Sequence, residues 1–572
     1  MPLAASTQRP RGRVNFVDLA ILGLVIASIY ALVAVAREWA GPLQPGLQIH
    51  LEARFLPWYM LLSLTRGVVA YGLSFMFTLV VGYAAARHNF AERILLPALD
   101  IGQSIPVLGF LPGLVLVLVH LFPSRNLGLE MASVLMIFTG QVWNMTFSFY
   151  GSLKSVPQDL QAVARLSRLT WSQRFFQLDL SFAVTGLVWN SMISMAGGWF
   201  FLTVSEAFVL GKQDFRLPGL GSYMSVAIER GDWRAQAMGV IAMMLMILFL
   251  DRLVWRPIVA WSQKFSTEER EGTEAVALPI WLRLRRSVLL RNFWKLGPAV
   301  WAGCVRFLKR LPVPTRTPGP VKTVLRFIPR VLFIAALLGT VAGVIEYALF
   351  VSELKTADWR TLLRSTLLTF LRVVMAVGLA SLWTIPIGVM IGRHPKWARH
   401  LQPIIQMAAS FPAPMIFPLV VSLILVVGGN LGIGSVILLM LGTQWYVLFN
   451  VIAGINKIPP ELWELARLNR FSLPIRWRKL ILPGLFPYLV TGWITAMGGA
   501  WNASIVAEYV QHQGRLLTTA GLGALISQAT EQGEFHLLAA AVAMMALVVV
   551  GLNRLLWHPL GRLAQARFAF EG

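Results

Sequence analysis

The chain has 572 residues, of which 56% are hydrophobic and only 13% charged, with a mean hydropathy of +0.66. That composition excludes a soluble globular protein and places the chain in a bilayer. The formal net charge of +24 does not indicate nucleic acid, which needs basic residues on a solvated face with stacking aromatics; here they sit mostly in short gaps between apolar runs, as cytoplasmic loops do under the positive-inside rule.

At the N-terminus Arg9, Arg11 and Arg13 precede an apolar run from Phe16 to Ala36 broken only by Asp18. It resembles a signal peptide, but about 20 residues exceeds the roughly 7–15 of a usual apolar core, so a retained first transmembrane helix is expected. Further segments of about 17–25 residues, long enough to span, fall near 62–87, 101–122, 128–149, 180–203 and 235–255. A second series follows near 328–350, 366–392, 401–427, 431–454, 483–506 and 536–556. The predicted fold is an all-α membrane protein with about twelve transmembrane helices.

The two series match by residue, the test for an internal repeat. An offset of 306 takes Arg66 to Arg372, Gly82 to Gly388, Arg87 to Arg393, Pro106 to Pro412 and Pro112 to Pro418. From the fourth helix an offset of 302 takes Trp143 to Trp445, Pro157 to Pro459, Arg165 to Arg467, Trp199 to Trp501, Glu206 to Glu508 and Gly219-Leu220-Gly221 to Gly521-Leu522-Gly523. Two parallel six-helix repeats are therefore expected at 1–256 and 327–572, related by an axis along the membrane normal.

Between them, 257–326 holds thirteen Lys/Arg against four acids, interleaved with Trp281, Trp294 and Trp301. Such a linker either lies on anionic membrane lipid or is a solvated connector whose charge sets orientation; both place it, with the two termini, in the cytoplasm. Cys304 is the single cysteine. It has no Cys or His neighbours for a metal site, and neither metal nor cofactor is expected.

Polar residues inside spans are costly and often functional. Arg66, Glu206, Arg372 and Glu508 lie near the outer ends of their helices, where they either pair with each other, snorkel to the interface, or line a translocation path. Asn144, Asn190 and Asn502 read as interhelical glue or substrate ligands. Trp143, Trp199, Trp445 and Trp501 read as packing or as a central path. Between the fourth and fifth helices of each repeat runs a polar segment of helical spacing. It begins at Pro157 with Leu160, Ala164, Arg165 and Arg168, and at Pro459 with Glu464, Ala466, Arg467 and Arg470, and in the second copy leads to Ile481-Leu482-Pro483.

This segment resembles the Glu-Ala-Ala loop of ABC importer permeases. Glu464-Leu465-Ala466 and Pro483 match its ends, Arg470 and Arg168 stand where that family has glycine, and the first copy has Ala162 for the glutamate and Ser181 for the proline. The Pro-x5-Pro of the third helix, Ala507-Glu508 and the Gly-Leu-Gly turns add to the likeness. Together they resemble the nitrate, sulfonate and bicarbonate group of these permeases in a duplicated, fused form. The resemblance implies a type I ABC importer-like fold in the inner (plasma) membrane. The two polar helices would then dock two copies or a dimer of a cytoplasmic ATPase, and 207–233 and 509–535 would receive an extracytoplasmic substrate-binding protein or merely pack over the bundle. The chain has no Gly-x4-Gly-Lys-Ser/Thr phosphate loop, so it is not expected to be an enzyme. A secondary transporter, which also has 6+6 parallel repeats, is the alternative.

Cys304 tests the topology. A membrane-impermeant maleimide should label it in permeabilised cells and leave it unlabelled in intact ones.

Overall fold

The computed structural model describes residues 33–41, 48–210, 213–265, 338–339 and 341–568. Most of the first expected helix (16–36), the start of the seventh (328–350), and the linker from 266 onward with Cys304 lie outside the described residues. Two compact units are present; the smaller contains a short apolar helix, Val341–Ser352. The larger, Trp39–Thr267 with Glu353–Gly572, holds the body of both repeats.

In the first repeat the chain runs through α1 (Ala53–Arg87), α2 (Asn89–Ser104), α3 (Val107–Leu121), α4 (Leu127–Lys154), α5 (Gln158–Leu166) and α6 (Trp171–Glu206). A two-stranded hairpin (β1, Val209–Leu210; β2, Gln213–Asp214) then leads to α7 (Leu220–Glu229) and α8 (Trp233–Phe265). The second repeat follows the same order: α9 (Thr356–Arg393), α10 (Pro395–Ser410), α11 (Ala413–Val426), α12 (Leu431–Ile455), α13 (Pro460–Leu468) and α14 (Leu473–Ala507). The hairpin of β3 (Tyr509–His512) and β4 (Arg515–Thr518), α15 (Leu522–Gln532) and α16 (Phe535–Phe568) complete it.

Among the described residues, seven helices are long and apolar enough to cross a membrane, or up to nine if each of two bent pairs counts as one span. Mostly helical structure in two repeats therefore stands, with two corrections. The hairpins depart from an all-α reading, and the third helix of each repeat is not one straight span. α2 meets α3 at 97°, and α10 meets α11 at 83°. The breaks fall at Ile105-Pro106 and Phe411-Pro412, because the residue before proline is driven out of the helical region. Ile105 (ψ 128°) and Phe411 (ψ 130°) are both extended. α8 also continues to Phe265, past the boundary expected at 256. The 28-residue α4 has the length to span but is diluted by Glu130, Gln141 and Asn144.

α9 shows how the helices partition. Leu363, Leu367, Leu371, Val374 and Leu382 form an exposed apolar stripe, while Leu362, Ser365, Thr369, Ala376 and Ala380 are buried against the bundle. An exposed stripe of that kind suits lipid, which solvates it as well as a protein core does. The first-repeat core gathers Tyr59, Met192, Trp199, Tyr223 and Met243 from α1, α6, α7 and α8. π turns recur at equivalent places, Phe175–Asp179 with Trp477–Ile481 and Asp251–Trp255 with Asn553–Trp557.

Close approach fixes the start of α7 and α15. A Cβ at Gly221 would overlap the Thr203 carbonyl, and one at Gly523 the Ser504 carbonyl, whereas Gly378 has open space around it. Gly523→Ala should therefore cost about 1–3 kcal/mol, the usual range for overpacking, and lower the melting temperature of the solubilised protein. Gly378→Ala should leave it unchanged or slightly raised.

Candidate functional site

Two buried ion clusters lie at one end of the bundle. In the first repeat Ser63 and Arg66 sit one turn apart on α1, both fully buried. Arg66 Nη1 donates to Glu206 Oε1 at 2.7 Å and to the Pro218 carbonyl at 2.9 Å, while Nε and Nη2 fork onto Glu130 at 2.5 and 2.6 Å. Glu206 also accepts from Ser63 Oγ (2.7 Å) and the Gly221 N–H (2.8 Å). In the second repeat Arg372 Nη1 donates to Glu508 at 2.8 Å and to the Ala520 carbonyl at 2.8 Å. Glu508 accepts from Thr369 Oγ1 (2.7 Å) and the Gly523 N–H (2.9 Å). A side chain at Gly219 or Gly521 would collide with the respective carboxylate. Each cluster thus pins the loop before α7 or α15 to the first long helix of its repeat.

Sequence reasoning missed Glu130. Its counterpart under the 302 offset is Gly432, so the repeat carried no signal for it; the clue was that it is the one acidic residue of α4. In the second repeat Thr519 Oγ1 takes up Arg372 Nη2 at 2.9 Å instead. The first cluster has two carboxylates on one guanidinium and the second has one.

At the opposite end lie α5 and α13. Each starts after an extended proline, Pro157 or Pro459, and buries one alanine, Ala164 or Ala466. Leu160, Val163 and Leu166 are exposed on α5, as are Leu465 and Leu468 on α13. Arg165, Arg168, Glu464, Arg467 and Arg470 are also exposed. Both helices close in the same turn, with Leu169 N–H bonded to the Ala164 carbonyl (3.2 Å) and Phe471 N–H to that of Ala466 (3.0 Å). Arg168 (φ 47°) and Arg470 (φ 48°) occupy the left-handed position of that turn, which glycine usually fills. The turn forms without glycine, at roughly 1–2 kcal/mol for a left-handed L-residue. Pro483 stands in the first turn of the α-helical stretch Leu482–Ala507 of α14, directly after the π turn Trp477–Ile481.

The repeats anchor these ends differently. In the first, Arg87 at the end of α1 pairs with the buried Asp179 of α6; in the second, Arg393 at the end of α9 lies 4.4 Å from the ring centroid of Trp463 on α13.

Between the repeats is a cavity of about 230 Å³ whose walls include Trp143, Asn144, Trp445, Trp501 and Asn502. Trp199 instead packs against Gly67. Asn190 donates to Ser148 Oγ at 2.9 Å and to the Gly186 carbonyl at 3.0 Å, holding α6 to α4. Asn502 Oδ1 accepts from the Val107 N–H at the start of α3, at 2.8 Å.

The model of the binding-protein-dependent transport system inner membrane component matches the chain twice, at residues 78–255 and 384–556. The chain belongs to this family. It is 27% identical over 241 residues to the bicarbonate transport system permease protein CmpB of Synechococcus elongatus, covering 42% of this chain and 78% of that one. It is also 27% identical over 192 residues to the nitrate import permease protein NrtB of the same organism (33% of this chain, 65% of NrtB). A third similar protein is the putative aliphatic sulfonates transport permease protein SsuC of Bacillus subtilis, 27% identical over 162 residues (28% of this chain, 55% of SsuC). Membership sets aside the secondary-transporter alternative.

Removing one partner of a buried ion pair leaves an uncompensated charge and costs about 3–5 kcal/mol. Glu508→Ala, which leaves Arg372 no carboxylate among the described residues, should sharply reduce the yield of folded protein. Glu130→Ala should be milder because Glu206 still faces Arg66. Thermal melting of the solubilised variants checks the order.

Proposed function

We propose that this chain is the whole membrane-spanning part of a binding-protein-dependent ABC importer for a small anion, of the nitrate, sulfonate or bicarbonate type. Two family matches in one chain carry the reading, since each encloses one of the twin helices α5 and α13 with the same capped turn. The similar proteins are named as permeases for bicarbonate, nitrate and sulfonates, which supports an anion as cargo.

In this reading α5 and α13 each seat in a groove of a cytoplasmic ATPase subunit, and hydrolysis occurs there rather than in this chain. Exposed Leu160, Val163 and Leu166, or Leu465 and Leu468, enter the groove, with the arginines at its rim. Closure of the ATPase pair moves the two helices together, and the α13 movement passes to α9 through Arg393–Trp463. The hairpins with α7 and α15 form the outer face for the substrate-binding protein, held in place by the Arg66 and Arg372 clusters. The linker at 257–326 and both termini are cytoplasmic, and the full count is twelve helices.

Co-purification of a nucleotide-hydrolysing subunit with the tagged chain tests the reading, followed by ATP-dependent uptake of nitrate, bicarbonate or alkanesulfonate into proteoliposomes with its binding protein. The two docking helices should be unequal. Loss of a buried charged contact costs about 2–5 kcal/mol, so Glu464→Ala should uncouple hydrolysis from uptake more than Gln161→Ala does. Equal effects with assembly intact would show the helices to be equivalent.

A further inference from the structure

The central cavity has two seams that the duplication makes equivalent, one where α14 packs against α3 and one where α6 packs against α11. At the first, the cavity wall includes the amides Gln103, at the end of α2, and Asn502. Their counterparts by the 306 and 302 offsets, Ala409 and Phe200, face it at the second. α4 approaches α2 through Trp143 and Gly102 and adds a third amide, Asn144, to the cavity wall. The bond from the Val107 N–H to Asn502 Oδ1 fixes which end of that amide is the donor. Its NH2 gives one hydrogen to the Gly498 carbonyl at 3.2 Å and keeps the other. The α3–α14 seam therefore offers two amides, Asn144 adds a third, and the α6–α11 seam offers the phenyl ring of Phe200 beside one amide, Gln406 on α10. No Lys, Arg, His, Asp or Glu lines it among the described residues.

The cost of taking an ion out of water rises with the square of its charge, and no fixed cation here offsets it. A doubly charged oxyanion is strongly disfavoured, and a singly charged one is tolerated when amide hydrogens replace part of its hydration. An apolar body on the same molecule gains by leaving water against Phe200. We propose that this cavity is a specificity-determining site for a singly charged oxyanion bearing an apolar body. The anionic head faces Gln103, Asn144 and Asn502, and the body faces Phe200. This rests on the reading of the chain as an anion importer and narrows its cargo class.

The test is calorimetric titration of the purified full chain in nanodiscs with methane- through butanesulfonate, nitrate, sulfate and butylammonium. Affinity should rise with chain length, up to about four-fold per added methylene, with nitrate weaker than butanesulfonate and sulfate not binding. Phe200→Asn, which copies the amide seam onto the phenyl seam, should flatten the length series and leave methanesulfonate little changed. Gln103→Ala should weaken every sulfonate alike, by roughly ten-fold for a lost hydrogen bond to a charged group. A flat series in the wild type, nitrate or sulfate binding as tightly as butanesulfonate, or no binding of any anion would each overturn the proposal while leaving the importer reading to its own uptake test. Butylammonium binding as tightly as butanesulfonate would overturn the anion reading as well. The wild-type series decides the matter even where a variant fails to fold.

Discussion

A guanidinium sealed inside an apolar bundle has to be answered by an anion and by enough oxygen atoms to replace the water it lost. Arg66 and Arg372 meet that demand in the same way, through a glutamate at the end of α6 or α14 and a carbonyl in the loop beyond. The glutamates in turn need donors, and take them from a hydroxyl on the first long helix and an N–H at the start of α7 or α15. Three separate parts of each repeat are thereby tied at one point. The glycines before α7 and α15 follow from it, because the carboxylates fill the space a side chain would need.

From this common frame the repeats have diverged where chemistry allows a substitute. Glu130 forks onto Arg66, but at its counterpart Gly432 nothing projects, and Thr519 supplies one oxygen to Arg372. At the end of the bundle that carries α5 and α13 an ion pair to Asp179 in one repeat becomes a cation over the Trp463 ring in the other, where Ile481 stands in place of the aspartate. A fused duplication permits this, since each half evolves for one position only. Two identical subunits would have to place the same residue at both seams of the cavity.

The bent third segments shape the cavity wall. With α2 and α10 turned by 97° and 83° from α3 and α11, the ends of α2 and α10 reach the space between the repeats, bringing Gln103 and Ala409 to its wall. Backbone broken at membrane depth is tolerated where protein covers it, and the Asn502 side chain takes one of the amides that the break at Pro106 releases.

The sequence by itself determined the membrane setting, the repeat and the family likeness, because hydropathy and a residue-by-residue offset are one-dimensional signals. It also determined which charges were candidates to meet, since the offset preserves Arg66 with Glu206 and Arg372 with Glu508, and the structure holds these pairs at 2.7 and 2.8 Å. Tertiary structure alone decided the rest. Glu130 lacks a repeat counterpart and enters the cluster only because α4 crosses α1. Two arginines serve in a left-handed turn that composition assigns to glycine, because the capping hydrogen bonds of α5 and α13 offset the strain. The cavity is assembled from helices distant in the chain, so no local pattern encodes it, and only packing brings Gln103, Asn144, Asn502 and Phe200 to the wall of one space.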